Sequence, residues 1–127
     1  MPICRVLDLS NCRGVGSEAL RAALACPPSF PQLHTLRLQG LQELSDALLA
    51  DIVLALPQLR CLDLYRCAAI TDAGLRGVAA ACSHRLTGLV LDDVARVTDR
   101  GLLAVAEACM VLEVRRWGVL AWHLCEA

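Results

Sequence analysis

One spacing of leucines recurs along this 127-residue chain and limits what the chain can fold into. The second leucine of each short apolar segment serves as a marker, and the markers are Leu7, Leu36, Leu62 and Leu89, followed by Arg115 in a fifth segment. The successive separations are 29, 26, 27 and 26 residues. A repeated pattern with a period of this length predicts an array of stacked units, each too small to bury its apolar face alone.

The unit from residue 59 to residue 85 shows most clearly what each repeat contains. Leu62 and Leu64 alternate with polar residues, so a strand would place both leucines on one face. Further on, the apolar residues are spaced as on one face of a helix: Leu75, Val78, Ala79 and Cys82. Thr71 and Asp72 precede them as candidates for the N-cap. The helical spacing recurs at Leu49, Ile52, Val53 and Leu56, and again at Leu102, Val105, Ala106 and Cys109.

Four segments follow the pattern L-x-x-L-x-L-x-x-N/C, in which the last position holds Cys12, Leu41, Cys67 or Val94. This is the leucine-rich-repeat pattern at its expected period. We therefore predict one α/β domain over residues 1–127: a leucine-rich-repeat solenoid that forms a short right-handed arc, with parallel strands on the concave face and helices on the convex face. The predicted units are 4–32, 33–58, 59–85 and 86–111, with a degenerate fifth unit over 112–127 that begins at Leu112.

Two of the units carry a more specific resemblance. The segments LDLYRCAAITDAGLRGVAAAC and LVLDDVARVTDRGLLAVAEAC resemble the cysteine-containing repeats of F-box/leucine-rich-repeat proteins, and the resemblance covers roughly residues 4–112. It implies a module that binds protein substrates for a cullin-type (SCF) ubiquitin ligase. It also implies a ligase adaptor as a partner if an F-box, which no segment here resembles, belongs to the parent protein. The alternative is a scaffold or regulatory repeat protein without a ligase role, such as a truncated variant.

Composition and motifs argue against several other classes of function. The net charge of −1 gives no general attraction to nucleic acid or to a membrane surface. No apolar run is long enough to cross a bilayer. The chain has no glycine-rich phosphate loop, and Ser83-His84 fits an ordinary polar turn after a helix better than a nucleophile and its base. We therefore expect neither an enzyme nor a bound cofactor.

The eight cysteines are predicted to be free thiols. Leucine or valine replaces cysteine at the same position in other units, so each such site requires a small buried apolar group, which a free cysteine also is. Cys12 and Cys67 would lie two strands apart, about 10 Å, beyond the reach of a disulfide. No spacing of cysteines and histidines fits a zinc site. Reduced thiols favour the cytoplasm or the nucleus.

The residues between the strand leucines are the candidates for function, because they would line the concave face. Stacking the units gives three rows: Asp8, Arg37, Asp63, Val90 and Arg116; Ser10, Gln39, Tyr65 and Asp92; and Asn11, Gly40, Arg66 and Asp93. The opposite charges of the first row could pair across strands, a purely structural ladder worth about 0.2–1 kcal/mol per pair. Tyrosine and arginine dominate interface hot spots, which favours a contact patch instead. The predicted partner-binding residues are Arg37, Asp63, Tyr65, Arg66, Asp92 and Asp93.

Prolines and glycines carry two further predictions about packing. The helix of unit one, near residues 18–25, is followed by prolines that end it, and Phe30 among them should pack under the array as a local plug. Gly74 and Gly77 weaken the helix of unit three by up to about 1 kcal/mol each. We expect both glycines to permit a close approach of the neighbouring chain.

Overall fold

The computed structural model describes residues 4–12, 14, 16–25, 30–82, 85–108 and 113–115. Within these residues five parallel strands form one sheet in chain order: β1 (Val6–Asp8), β2 (Thr35–Arg37), β3 (Cys61–Asp63), β4 (Gly88–Val90) and β5 (Glu113–Arg115). Four helices connect them: α1 (Ser17–Leu20), α2 (Asp46–Ala55), α3 (Asp72–Cys82) and α4 (Asp99–Ala108). A π-helical turn over Arg21–Ala25 extends α1. The predicted leucine-rich-repeat solenoid is confirmed.

The strand register agrees with the leucine spacing in four units and differs in the fifth. Leu36 pairs with Leu7 on one side and with Leu62 on the other, and Leu62 pairs with Leu89, as predicted. Leu89 then pairs with Val114, so the choice of Arg115 as the fifth marker was wrong by one residue. A slip of one residue exchanges the two faces of a strand. It is Arg115, not Arg116, that continues the row of Asp8, Arg37, Asp63 and Val90.

Leucines from the strands and the helices form one continuous core. Every strand leucine of units two and three is fully buried, as are the predicted helix residues Leu49, Ile52, Val53, Leu56, Leu75, Val78 and Cys82. In the first unit Leu7 and Leu9 are only half-buried, and on α4 the predicted core residue Ala106 is exposed. Among the described elements, β1 and α4 each have a neighbour of their own kind on one side only, which accounts for this difference.

A repeated set of hydrogen bonds ties the helix N-termini together. Asp46, the first residue of α2, accepts hydrogen bonds from the backbone N (2.8 Å) and the hydroxyl of Thr71. The Thr71 hydroxyl in turn accepts from the backbone N of Ala73 at 3.2 Å and so caps α3, as the sequence predicted. Asp72 repeats the pattern with the backbone N (2.7 Å) and the hydroxyl of Thr98. We call this series the threonine–aspartate ladder.

Two glycines make room for the ladder. A Cβ atom at Gly74 would overlap the Asp46 carboxylate, and one at Gly101 would overlap the Asp72 carboxylate and lie 3.1 Å from the Asp72 Cα. The expectation of a close approach is therefore confirmed for Gly74. At Gly77 a Cβ would meet only the Cβ of Ala50, at an ordinary 3.5 Å, so the expectation is wrong there.

The cysteines divide into two kinds. Cys67 is a buried thiol that donates to the carbonyl of Leu38 at 3.0 Å, and burial raises its pKa to about 11. Cys82 is also buried, whereas Cys12 is half-buried in the first unit. Cys61 is disulfide-bonded and 2% exposed, so the prediction that every cysteine is free is wrong. The compartment inferred from free thiols stays a prediction, and Cys26, Cys109 and Cys125 lie outside the described residues.

Phe30 is half-buried and packs against the core, which confirms its role as a local plug.

No helix in the described ranges is long and apolar enough to cross a membrane. No group of three metal-ligating side chains occurs among the same residues.

Candidate protein-contact surface at the strand ends

The backbone makes the same left-handed turn after each of the first four strands. The turn residues are Asn11, Gly40, Arg66 and Asp93, with φ of 61°, 75°, 59° and 57°. They form the third row that the repeat alignment predicted, and we call them the strand-end row. Backbone hydrogen bonds continue the sheet through it: the N–H of Asn11 donates to the Gln39 carbonyl and that of Gly40 to the Tyr65 carbonyl, both at 2.8 Å.

Arg66 is the unusual member of the strand-end row. Glycine, asparagine and aspartate tolerate a positive φ, because glycine has no Cβ and the other two have short polar side chains. Arginine has a Cβ and a long side chain, so the left-handed conformation costs it roughly 1–2 kcal/mol. Residues held in such conformations cluster at functional sites.

The guanidinium of Arg66 contacts both an aromatic ring and a carboxylate. Its carbon is 5.6 Å from the ring centroid of Tyr65, and its Nε is 3.5 Å from an oxygen of Asp93. The side chains of Arg66 and Asp93 are 65% and 62% exposed, so water screens this ion pair to about 0–1 kcal/mol. An exposed cation–π contact adds about 0.5–1 kcal/mol. Together these contacts are of about the same size as the backbone cost, so stability alone gives no reason for arginine at this position.

Tyr65, Arg66 and Asp93 therefore form a small surface of mixed chemistry, which we call the strand-end patch. It carries an aromatic ring, a forked donor and a carboxylate on neighbouring units of the array. A pocket of about 390 Å³ adjoins it and is lined by Asn11, Cys12, Gly40, Leu41, Gln42, Glu43 and Arg66. Tyrosine and arginine beside a concave pocket are the usual composition of a protein-binding anchor.

The row of charges below the patch stabilises the array. A guanidinium nitrogen of Arg37 lies 3.8 Å from the Asp8 carboxylate, as the alternative ladder reading predicted. Asp63 accepts hydrogen bonds from the side-chain amide of Gln39 and from the backbone N of Tyr65, the latter at 3.0 Å. Asp63 is only 3% exposed, so its prediction as a contact residue is corrected. Its carboxylate holds the backbone on which Tyr65 stands.

The pKa values of the two acids in this row, Asp63 and Asp8, are shifted in opposite directions. Burial raises the pKa of Asp63, although hydrogen bonds from Gln39 and Tyr65 and the charge of Arg37 oppose the rise. At Asp8 burial acts in the same direction but is outweighed by hydrogen bonding from Ser10 and by the charge of Arg37, so the pKa of Asp8 is lowered. The same aspartate position thus carries different chemistry at the edge of the sheet and in its middle.

The remaining predicted contact residues take intermediate positions. The side chain of Arg37 is 24% exposed, and Asp92 is half-buried. The structure brings Tyr65, Arg66 and Asp93 together, and it adds the pocket residues Gln42 and Glu43, which the repeat alignment did not single out. The amide of Gln42 donates to the Arg66 carbonyl at 3.5 Å. Asn11, Gly40 and Asp93 were the sequence signal for a left-handed turn at Arg66, since all four occupy one repeat position.

Comparison with known structures agrees with this architecture. The chain is similar to the tropomodulin C-terminal domain of Caenorhabditis elegans, which has a leucine-rich-repeat fold, with a TM-score of 0.61 and 13% sequence identity. The match covers 97% of this chain and 80% of the tropomodulin chain. No family model matches the sequence. Fold and strand-end geometry together place the chain in the class of leucine-rich-repeat solenoids.

Proposed function

We propose that this chain is a protein-interaction module and that it contacts its partner through the strand-end patch. The observation that carries the proposal is the exposed Arg66, which occupies a left-handed backbone position and contacts both Tyr65 and Asp93. A strained residue that adds no net stability and leaves its charge exposed is explained by a contact that it makes when the partner is bound.

The burial of Asp63 supports this choice of surface. Its carboxylate fixes the backbone N of Tyr65, and the carbonyl of Tyr65 accepts the hydrogen bond of Gly40. The backbone of Tyr65 is therefore fixed by two hydrogen bonds, one at its N–H and one at its carbonyl, and these position its ring. Preorganised side chains lose less conformational entropy on binding, which favours affinity.

Within this class we propose the finer role of substrate recognition for a cullin-type (SCF) ubiquitin ligase. Its support is the resemblance of units three and four to the repeats of F-box/leucine-rich-repeat proteins. Affinity purification of the full-length protein from cells tests it. Recovery of the F-box-binding adaptor and a cullin supports the role, and a partner complex without them assigns the chain to scaffold or regulatory repeat proteins.

The proposed contact surface is tested with Arg66→Asn. Asparagine tolerates the left-handed turn, so this variant keeps the backbone and removes the guanidinium. We expect affinity capture from cells to lose the partners of the wild-type chain, and Arg96→Asn, a change at another exposed arginine, to retain them. Equal capture by the wild type and Arg66→Asn would contradict the proposal.

A further inference from the structure

A second row of side chains crosses the sheet at the opposite end of the strands. Arg5, His34 and Arg60 each directly precede a strand, at positions that the register of β1, β2 and β3 brings side by side. The N–H of His34 donates to the Arg5 carbonyl at 2.9 Å, and the N–H of Arg60 donates to the His34 carbonyl at 2.8 Å. At a strand spacing of about 4.8 Å the three residues span about 10 Å. We call them the amino-end row.

The charges of the amino-end row are not balanced within the sheet. The row of Asp8, Arg37 and Asp63 alternates in sign, and Asp8 pairs with Arg37. The amino-end row contains no acid, and no ion pair to Arg5 or Arg60 occurs in the ranges that the structure describes. Both arginines are exposed, and His34 between them is half-buried. Burial, together with the positive charges of Arg60 and Arg5, lowers the pKa of His34.

A pocket of about 550 Å³ lies beside this row. It is lined by Pro31, Gln32, His34, Gln58 and Arg60. Gln32 and Gln58 occupy the same repeat position, in the matching tripeptides Pro31-Gln32-Leu33 and Pro57-Gln58-Leu59. The lining therefore supplies amide, imidazole and guanidinium groups that can donate hydrogen bonds, and no carboxylate is among its described residues. Such a set suits an anion with several acceptor oxygens.

We infer that the amino-end row and its pocket bind a phosphorylated side chain of a peptide partner. Arginine forms forked hydrogen bonds to phosphate, and a half-buried imidazole beside it adds a donor when the anion is bound. A span of about 10 Å fits one phosphorylated residue and its neighbours. The net charge of −1 provides no extended basic surface for a nucleic-acid backbone. This surface lies at the other end of the strands from the strand-end patch, so it would be a second contact.

Two probes test the inference on the full chain. The first is inorganic pyrophosphate, followed by the NMR signals of the His34 imidazole. We expect saturable shifts and a raised pKa of His34 on binding. Arg60→Gln should weaken binding about tenfold, the equivalent of about 1.4 kcal/mol, while Arg76→Gln, a change at an exposed arginine of α3, leaves it unchanged. No saturable shift, or equal binding by the wild type and Arg60→Gln, would overturn the site.

The second probe is an array of peptides in phosphorylated and unphosphorylated pairs. We expect phosphorylated members to bind at least about tenfold more tightly and Arg60→Gln to remove the preference. Equal binding of both members, or tighter binding of a single-stranded oligoribonucleotide than of any peptide, would contradict the inference. Arg66→Asn should keep the preference, so failure here is distinguishable from failure of the strand-end patch.

Discussion

The helix N-termini of units two to four and the strand ends of units one to four each show a repeated arrangement, but they repeat in different ways. In the threonine–aspartate ladder the backbone and the side chains recur together, with Asp46 on Thr71 and Asp72 on Thr98. In the strand-end row the backbone recurs while the side chain changes from asparagine to glycine, arginine and aspartate. The repeated hydrogen bonds of the ladder and the repeated backbone turn of the strand-end row are both required for the units to stack. The strand-end side chains differ from unit to unit, so stacking does not determine them and they can be selected for contact with a partner.

The largest effect should come from the core on which both regions depend. Leu64 is fully buried in the central unit, so Leu64→Ala should lower the free energy of unfolding by about 2–5 kcal/mol through the cavity it leaves. That is a large part of the ~5–15 kcal/mol typical of a domain. Denaturant unfolding measures the change. Leu54→Ala, at a leucine that is 70% exposed, is the control and should have little effect, and an unchanged midpoint for Leu64→Ala would show the register to be wrong.

The ladder predicts opposite signs for two glycine substitutions. Gly101→Ala would push a methyl group against Asp72, including its Cα at 3.1 Å, and should cost about 1–3 kcal/mol. Gly77→Ala meets only ordinary contacts and should raise stability by about 0.5–1 kcal/mol, because alanine is the better helix former. Thermal or denaturant unfolding of the two variants measures both. If Gly101→Ala were as stable as Gly77→Ala, the ladder would not constrain the helix spacing.

At the strand ends, removing the Arg66 side chain should cost no stability. Arg66→Asn replaces a residue that is strained at φ 59° by one that tolerates this conformation. We expect the free energy of unfolding to stay the same or to rise by up to about 1 kcal/mol, because the relieved backbone strain offsets the loss of the exposed contacts with Asp93 and Tyr65. Arg96→Asn, at an exposed arginine without a positive φ, should change stability by less than about 0.5 kcal/mol. A lower stability of Arg66→Asn would mean that Arg66 is a structural residue.

Sequence reasoning recovered the stacking of the first four units and only part of the surface. Leucine spacing gave the register of β1 to β4 because one face of each strand is buried, and a slip would expose its leucines. In the fifth unit Val111 and Leu112 are both apolar, so the pattern allowed two registers and favoured the wrong one. The burial of Asp63 depends on neighbouring units, which a repeat alignment does not describe. The disulfide at Cys61 was not predicted either, because sequence spacing does not report which sulfur atoms meet.

We propose that the varied strand-end side chains, and not the helices, contact the partner. Capture of cellular partners by the wild type, Tyr65→Ala and Arg76→Ala, with unfolding measured on each, tests it most directly. We predict that Tyr65→Ala loses the partners while its stability falls by about 1 kcal/mol or less, the size of the contact with Arg66, and that Arg76→Ala changes neither. Loss of the partners by Arg76→Ala with full retention by Tyr65→Ala would place the functional surface on the helices and contradict the account.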